Sequence, residues 1–308
     1  MDSNHKVNFG VFLPQAGLSF EQLVERAALA ERLGYHSLWL VDHLWSPRAR
    51  EIDHLECLAA LCGLAARTAR LRLGSLVLCN SFRNPALLAK MLSTIDHISG
   101  GRLEVGIGAG WLAEEHLGYG YEFPKIGTRL KQLEESLQIL KAMFTEPRVS
   151  FNGRFYTLSD AVNNPKPIQK PHPPITVGGS GEKVMLRLVA RYADRWNCPA
   201  GYRSFDQKLE ALRTHCARVG RDFNSLEISE QVLVCVAQTE PEVERSWQVA
   251  QALKPFSFTA MKGTPAQLVE LIRERHAKGV TLFTILFSDF GQPPSLELFA
   301  KQVMPAFA

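Results

Sequence analysis

Ser37 to Trp45, S-L-W-L-V-D-H-L-W, opens as an apolar run (Leu38, Trp39, Leu40, Val41) and then stops on two ionisable side chains, Asp42 and His43. The run is too short for an ordinary helix and reads as a buried strand. In a parallel α/β protein the carboxyl ends of strands are where ligands bind and catalytic groups project. An imidazole placed there can exchange a proton near neutral pH, which makes His43 a candidate acid–base group. A plainer alternative stays open: Asp42 and His43 hydrogen-bond to each other and simply finish the strand.

Outward from this strand the same unit recurs. Val7 to Leu13 reads as a preceding strand closed by Pro14, and Ser19 with Gln22 forms a capping box for a helix that Gly34 stops. Leu23, Ala27, Ala30 and Leu33 give that helix its apolar face. Leu55 to Arg67 predicts a helix and Leu71 to Cys79 a third strand. Asn84-Pro85 starts the next helix and Gly100-Gly101 ends it, before a fourth strand at Leu103 to Ile107. Further strands are expected at Ile175 to Val177, Asp194 to Cys198, Leu226 to Ala237 and Thr281 to Phe287, with helices between.

Two stretches leave this rhythm. Residues 148–173 hold a proline-dense run and Asn152-Gly153, the signal of a two-residue hairpin turn, and residues 254–263 look like a second insertion. Eight strands, each followed by a helix, predict a (β/α)8 TIM barrel over residues 1–308, a single domain with those two insertions. An open doubly wound sheet is the alternative.

Of the 308 residues 46% are hydrophobic and 21% charged, the balance of a soluble globular enzyme. The net charge of +4 comes from scattered Lys and Arg and gives no reason to expect nucleic acid. The six cysteines (57, 62, 79, 198, 216 and 235) show no C-x-x-C pair and no zinc spacing, so no metal site and a reducing, cytoplasmic setting are expected. Met1 to Lys6 lacks the apolar core of a signal peptide, and no apolar run approaches the roughly 20 residues that span a bilayer.

Two glycine-rich turns also fall at predicted strand ends. Gly178-Gly179-Ser180-Gly181 leads into a helix, where free backbone N–H groups and the helix dipole suit a phosphate or carboxylate; a plain tight turn is the alternative. It lacks the Gly-Lys-Ser/Thr ending of a Walker loop. Gly106, Gly108 and Gly110 alternate but bring the third glycine one residue early for a dinucleotide fingerprint. Such alternation lets a flat ring approach the backbone. Among the other histidines, only His54 and His116 fall in loops on the predicted active face. Trp45, Trp111, Tyr119 and Tyr121 either wall a cofactor or pack.

Taken together, V-D-H-L-W at 41–45, L-G-S-L-V-L-C-N-S-F-R-N-P at 73–85, S-G-G-R-L-E-V-G-I-G-A-G-W at 99–111, T-V-G-G-S-G-E-K at 176–183 and A-R-Y-A-D-R-W-N at 190–197 resemble the luciferase-like monooxygenase superfamily. Within it they resemble most the branch dependent on the deazaflavin coenzyme F420. The resemblance runs over nearly the whole chain. It implies a barrel with insertions, a homodimer, and a flavin-type ring bound at the barrel's carboxyl end.

By the same resemblance His43 matches the histidine that handles the proton beside the hydride centre, and Asp42 its cofactor-contacting neighbour. Cys79, Asn80, Ala109 and Gly110 match positions lining the ring, and Gly179, Ser180 and Gly181 the turn that holds the cofactor phosphate. A bulge with a non-prolyl cis peptide is expected near Leu76-Val77. One departure stands out. The sugar-phosphate dehydrogenases of the branch carry a catalytic glutamate just after the G-x-G-x-G turn, where this chain has Trp111; Glu114 and Glu115 nearby could stand in, though nothing in the pattern requires it. That argues against glucose-6-phosphate and leaves His43 as the main acid–base group. The implied activity is hydride transfer between F420 and a small organic substrate. The alternatives are an FMNH2-dependent monooxygenase using O2 and a flavin-binding protein without chemistry.

Overall fold

The computed structural model describes residues 6–47, 49–199, 204–251 and 260–308. Its strands are β1 (Asn8–Phe12), β2 (Ser37–Leu40), β3 (Arg72–Ser75), β4 (Leu78–Cys79), β5 (Leu103–Gly108), β6 (Val149–Asn152), β7 (Thr157–Ala161), β8 (Ile175–Gly178), β9 (Arg195–Pro199), β10 (Glu227–Val236), β11 (Ala260–Gly263) and β12 (Val280–Phe287). Its helices are α1 (Phe20–Arg32), α2 (Cys57–Arg67), α3 (Pro85–Ile98), α4 (Ala113–Gly118), α5 (Ile126–Thr145), α6 (Met185–Tyr192), α7 (Phe205–Arg218), α8 (Glu240–Gln251), α9 (Pro265–Ala277) and α10 (Pro293–Gln302).

Parallel pairing runs β1-β2-β3-β5-β8-β9-β10-β12, and β12 pairs back onto β1 with Phe9 opposite Phe283. That last pairing closes an eight-stranded (β/α)8 barrel and rules out the open sheet. Alternation along β12 divides the two layers. Leu282 and Leu286 join Phe12, Trp39, Val41, Leu76 and Leu233 in a cluster inside the barrel. Phe283, Ile285 and Phe287 face the helices in the larger apolar layer.

The amino-terminal end of the barrel is sealed by charge. Glu104, 2% exposed, accepts from Arg195 at 2.8 Å and from Arg72, and Arg195 reaches Glu227 at 2.6 Å. Arg195 also lies over the Trp39 ring at 5.8 Å. Burial alone would push the Glu104 carboxyl up; the Arg195 and Arg72 guanidiniums override it and hold it below its ordinary value.

Local differences from the sequence expectation each have a physical cause. The expected bulge is present at Leu76-Val77, whose peptide is cis and non-prolyl, and it splits what local pattern read as one strand, Leu71 to Cys79, into β3 and β4. Asn152-Gly153 is not a two-residue turn: Asn152 pairs with Thr157, leaving residues 153–156 as the connection. Glu135 of α5 accepts from the N–H groups of Arg154 at 2.8 Å and Phe155 at 2.9 Å. A tertiary carboxylate therefore satisfies the wider turn. Of the second insertion, residues 254–259 lie outside the described residues, and Ala260–Gly263 is β11, which pairs with the carboxyl half of β10. No helix among the described residues is long and apolar enough to cross a membrane.

Candidate active site

The carboxyl end of the barrel gathers the loops after β2, β4, β5 and β8. Gln15, fully buried after β1, fixes the first of them. Its amide donates to the Val41 carbonyl at 2.7 Å and the Leu55 carbonyl at 2.9 Å, and accepts from Val41 N–H. The Val41 N–H thus leaves the sheet ladder, and Asp42 and His43 project from a braced turn.

These two side chains do not pair with each other. Asp42 takes a fork of bonds from Arg83, 2.7 and 2.8 Å, and accepts the Cys79 N–H at 2.8 Å. Arg83 in turn reaches Glu56 at 2.5 Å. Asp42 therefore ties the end of β2 to the end of β4. His43 instead meets a carboxylate from α4: its Nδ1 lies 2.9 Å from Glu115 Oε2. Glu115 Oε1 accepts the Leu44 N–H and, at 3.4 Å, the Trp45 N–H. The edge of Trp111 stands 5.4 Å from the His43 ring, centre to centre. Sequence reasoning had no geometric ground for choosing Glu115. The available signal was its place, four residues beyond Trp111 and next to Glu114.

Cys79, Ala109 and Gly110 come together beside Asp42. Cys79 is paired with Gly108 across the sheet, and a Cβ on Gly110, whose φ is +73°, would stand 2.8 Å from the Cys79 sulfur. Burial pushes the Cys79 thiol up to about 12, so it is a neutral, hydrogen-bonding wall rather than a nucleophile. Asn80 is 4% exposed and opens the short 3-10 turn that follows β4.

The alternating glycines serve the chain itself. A Cβ on Gly106 would overlap the Ser75 carbonyl oxygen, and on Gly108 or Gly178 it would sit 2.8 or 2.9 Å from Val77. The bulge after β3 fills the space that the sequence suggested for a flat ring. Val77 is left partly exposed between the β5 and β8 arcs of the mouth.

The turn Gly179-Ser180-Gly181 forms the opposite arc. Gly179, at φ +136°, accepts the Trp196 indole N–H at 2.7 Å, and Lys208 donates to the Ser180 carbonyl at 3.0 Å. α6 starts only at Met185, with Leu186 N–H bonded to the Gly181 carbonyl. The N–H groups of Ser180 and Gly181 have no acceptor among the described residues.

The remaining candidates separate cleanly. His116 is 1% exposed, packed against Phe82 at 4.8 Å and Phe123 at 4.7 Å, with Nδ1 at the Leu112 carbonyl; it is a core residue. His54 sits beside His43, and burial, reinforced by His43, lowers it to about 4, so it stays neutral. Trp45 and Tyr119 pack on each other at 5.5 Å, and Tyr121 donates to the Phe82 carbonyl. Trp111 keeps an open face, 59% exposed. No cluster of three or more potential metal ligands exists among the described residues.

Comparison with known proteins agrees with this architecture. The family described as luciferase-like monooxygenase matches residues 7–281. An F420-dependent glucose-6-phosphate dehydrogenase of Nocardia farcinica is 31% identical over 245 residues, 78% of this chain and 71% of that protein. An FMNH2-dependent dimethylsulfone monooxygenase of Pseudomonas putida is 27% identical over 315 residues, covering 91% of this chain and 85% of its own length. Among solved structures, an F420-dependent secondary alcohol dehydrogenase in complex with an F420-acetone adduct superposes with a TM-score of 0.84 at 21% identity, over 98% of this chain and 99% of that one.

Proposed function

The chain belongs to the luciferase-like monooxygenase family and is an enzyme of that family; from that premise we propose an F420-dependent oxidoreductase that moves a hydride between the deazaflavin and a small organic substrate. The observation that carries the reading is His43. Its imidazole is the titratable group that reaches the barrel mouth in a fixed orientation, held at 2.9 Å by a buried carboxylate.

The residues at the mouth fit a flavin-type coenzyme. The Asn80 amide, 4% exposed after β4, supplies a hydrogen bond to a ring edge, while Val77, Cys79, Ala109 and Gly110 offer a mostly apolar wall. The free N–H groups of Ser180 and Gly181 suit the coenzyme's phosphate. Asp42, with both oxygens engaged by Arg83 and Cys79, acts through the placement of Cys79 and Asn80. Bound there, the deazaflavin supplies the hydride. His43 delivers or removes the coupled proton at Nε2, a role worth about 10²–10⁴-fold in rate. The relative from Nocardia supports the coenzyme. Trp111, standing where the sugar-phosphate branch has its glutamate, argues for a different substrate. In this reading the enzyme is a cytoplasmic homodimer acting on a small molecule.

An FMNH2-dependent monooxygenase is the second reading, supported by the Pseudomonas relative that covers 91% of the chain. Titration of the apoprotein with oxidised F420 and with FMN, following quenching of its five tryptophans, separates the two. Preference for F420 is the expected result. Preference for FMN with stoichiometric oxygen uptake would move the enzyme to the monooxygenase branch, and binding without turnover would leave a flavin-binding protein.

A further inference from the structure

His43 is not held by its sequence neighbour but by a carboxylate that arrives from another barrel unit, 72 residues on. Glu115 is 1% exposed, and both of its oxygens are engaged: Oε2 with His43 Nδ1 at 2.9 Å, Oε1 with the N–H groups of Leu44 and Trp45. Bonds at both oxygens fix the plane of the carboxylate, and the carboxylate fixes the plane of the imidazole. The contact also selects a tautomer. An ionised carboxylate only accepts, so Nδ1 must carry a hydrogen. The lone pair, or the exchangeable proton, is then left on Nε2. The side chain of His43 is 14% exposed and that of Glu115 2%, so the imidazole and not the carboxylate can meet a substrate. Trp111, edge-on to the ring at 5.4 Å, adds an apolar contact to the imidazole.

We propose that Glu115 is the positioning residue of this site: it holds His43 as the Nδ1–H tautomer, with Nε2 presented to the substrate. This deepens, and for its kinetic arm rests on, the proton-transfer role of His43. In this chain the position directly after the glycine turn is given to an indole, and a carboxylate four residues farther along, in α4, serves the histidine from behind. A competing account makes Glu115 only the cap of the Leu44–Trp45 turn.

Glu115→Gln distinguishes them, because the amide oxygen can keep the Leu44 and Trp45 bonds while the NH2 group donates to His43 Nδ1. The hydrogen must then move to Nε2. Imidazole ¹⁵N–¹H spectra of the apoprotein, with His43 assigned by loss of its signal in His43→Ala, read this directly. Wild type should show Nδ1–H and Glu115→Gln should show Nε2–H. With F420 and a substrate that wild type turns over, kcat should fall by about 10²-fold or more while F420 binding stays within about threefold. Glu115→Asp, which still only accepts, should keep Nδ1–H and recover part of kcat.

An Nε2–H tautomer in wild type would overturn the proposal. So would a flipped tautomer with undiminished kcat, or a loss of kcat without a flip, which would assign Glu115 to the turn alone. A flip in a protein that never turns over F420 would uphold the positioning role and defeat the proposed reaction, so the two failures are distinguishable.

Discussion

The two ends of the barrel treat polar groups in opposite ways. At the amino-terminal end Arg72, Glu104, Arg195 and Glu227 satisfy one another, and Gln169 bonds Arg72 at 2.9 Å. At the carboxyl end, among the described residues, the N–H groups of Ser180 and Gly181 have no partner and His43 keeps one ring nitrogen without a bond. A closed network inside a barrel defines the packing of its strands. An open one at the mouth stores unmet hydrogen-bonding capacity for a ligand. The contrast teaches where stability and function have been separated in one chain.

His43→Ala should cut turnover by about 10²–10⁴-fold while the denaturation midpoint barely moves, measured by steady-state kinetics alongside urea unfolding. An equal loss of stability would blur the division between the two ends. Glu104→Ala is the mirror experiment. It leaves two buried guanidiniums short of a partner, and the loss should be about 3 kcal/mol in unfolding free energy, at the low end for a broken buried pair because Arg195 keeps Glu227 and Arg72 keeps Gln169. Turnover per folded molecule should be unchanged; a comparable drop in kcat would mean that the two ends are coupled.

Acid titration sharpens the same point. Glu104 is held below the ordinary carboxylate range by its two arginines despite its burial, so its contribution is present above about pH 4, where an unfolded glutamate is ionised. It is lost as pH falls through the lower native value. Unfolding free energies of wild type should therefore decline in this acid range, and those of Glu104→Gln should decline less; parallel curves would remove Glu104 from the account.

Smaller effects belong to the mouth. Asn80→Ala should weaken F420 binding by about fivefold, the worth of about 1 kcal/mol for one hydrogen bond, without affecting stability. Unchanged affinity in the tryptophan-quenching titration would take the Asn80 amide out of the cofactor site. The smallest concerns Cys79: with its thiol pushed up to about 12 by burial, iodoacetamide at pH 8 should leave it unmodified in the folded protein and label it once unfolded. Rapid native labelling, read by peptide mass spectrometry, would contradict a buried neutral thiol.

Much of this was legible in local sequence. The capping box of Ser19 and Gln22 is formed as read, with bonds in both directions. Asn84 caps α3 with Pro85 in its first turn. The buried run Ser37–Leu40 is a strand that ends where Asp42 and His43 begin. Such features depend on neighbours within a few residues, so composition and spacing suffice to predict them. Asn152-Gly153 shows the limit: a strong local turn signal yielded to three backbone donors seeking the Glu135 carboxylate on another element.

The sequence by itself determined the alternation of strands and helices, the residues at the strand ends and hence the end of the barrel where chemistry can occur. Periodicity, caps and turn residues act at short range, and they carry that information without knowledge of the fold. Only the tertiary structure decided the partnerships: Asp42 with Arg83 and Cys79, His43 with Glu115, Gly108 and Gly178 with Val77. Contacts between units 30 to 100 residues apart depend on closure of the barrel, and no local pattern encodes which of two adjacent carboxylates, Glu114 or Glu115, will turn inward. Their environments did: Glu114 meets Arg50 at the surface at 2.6 Å, and Glu115 lies buried against the histidine.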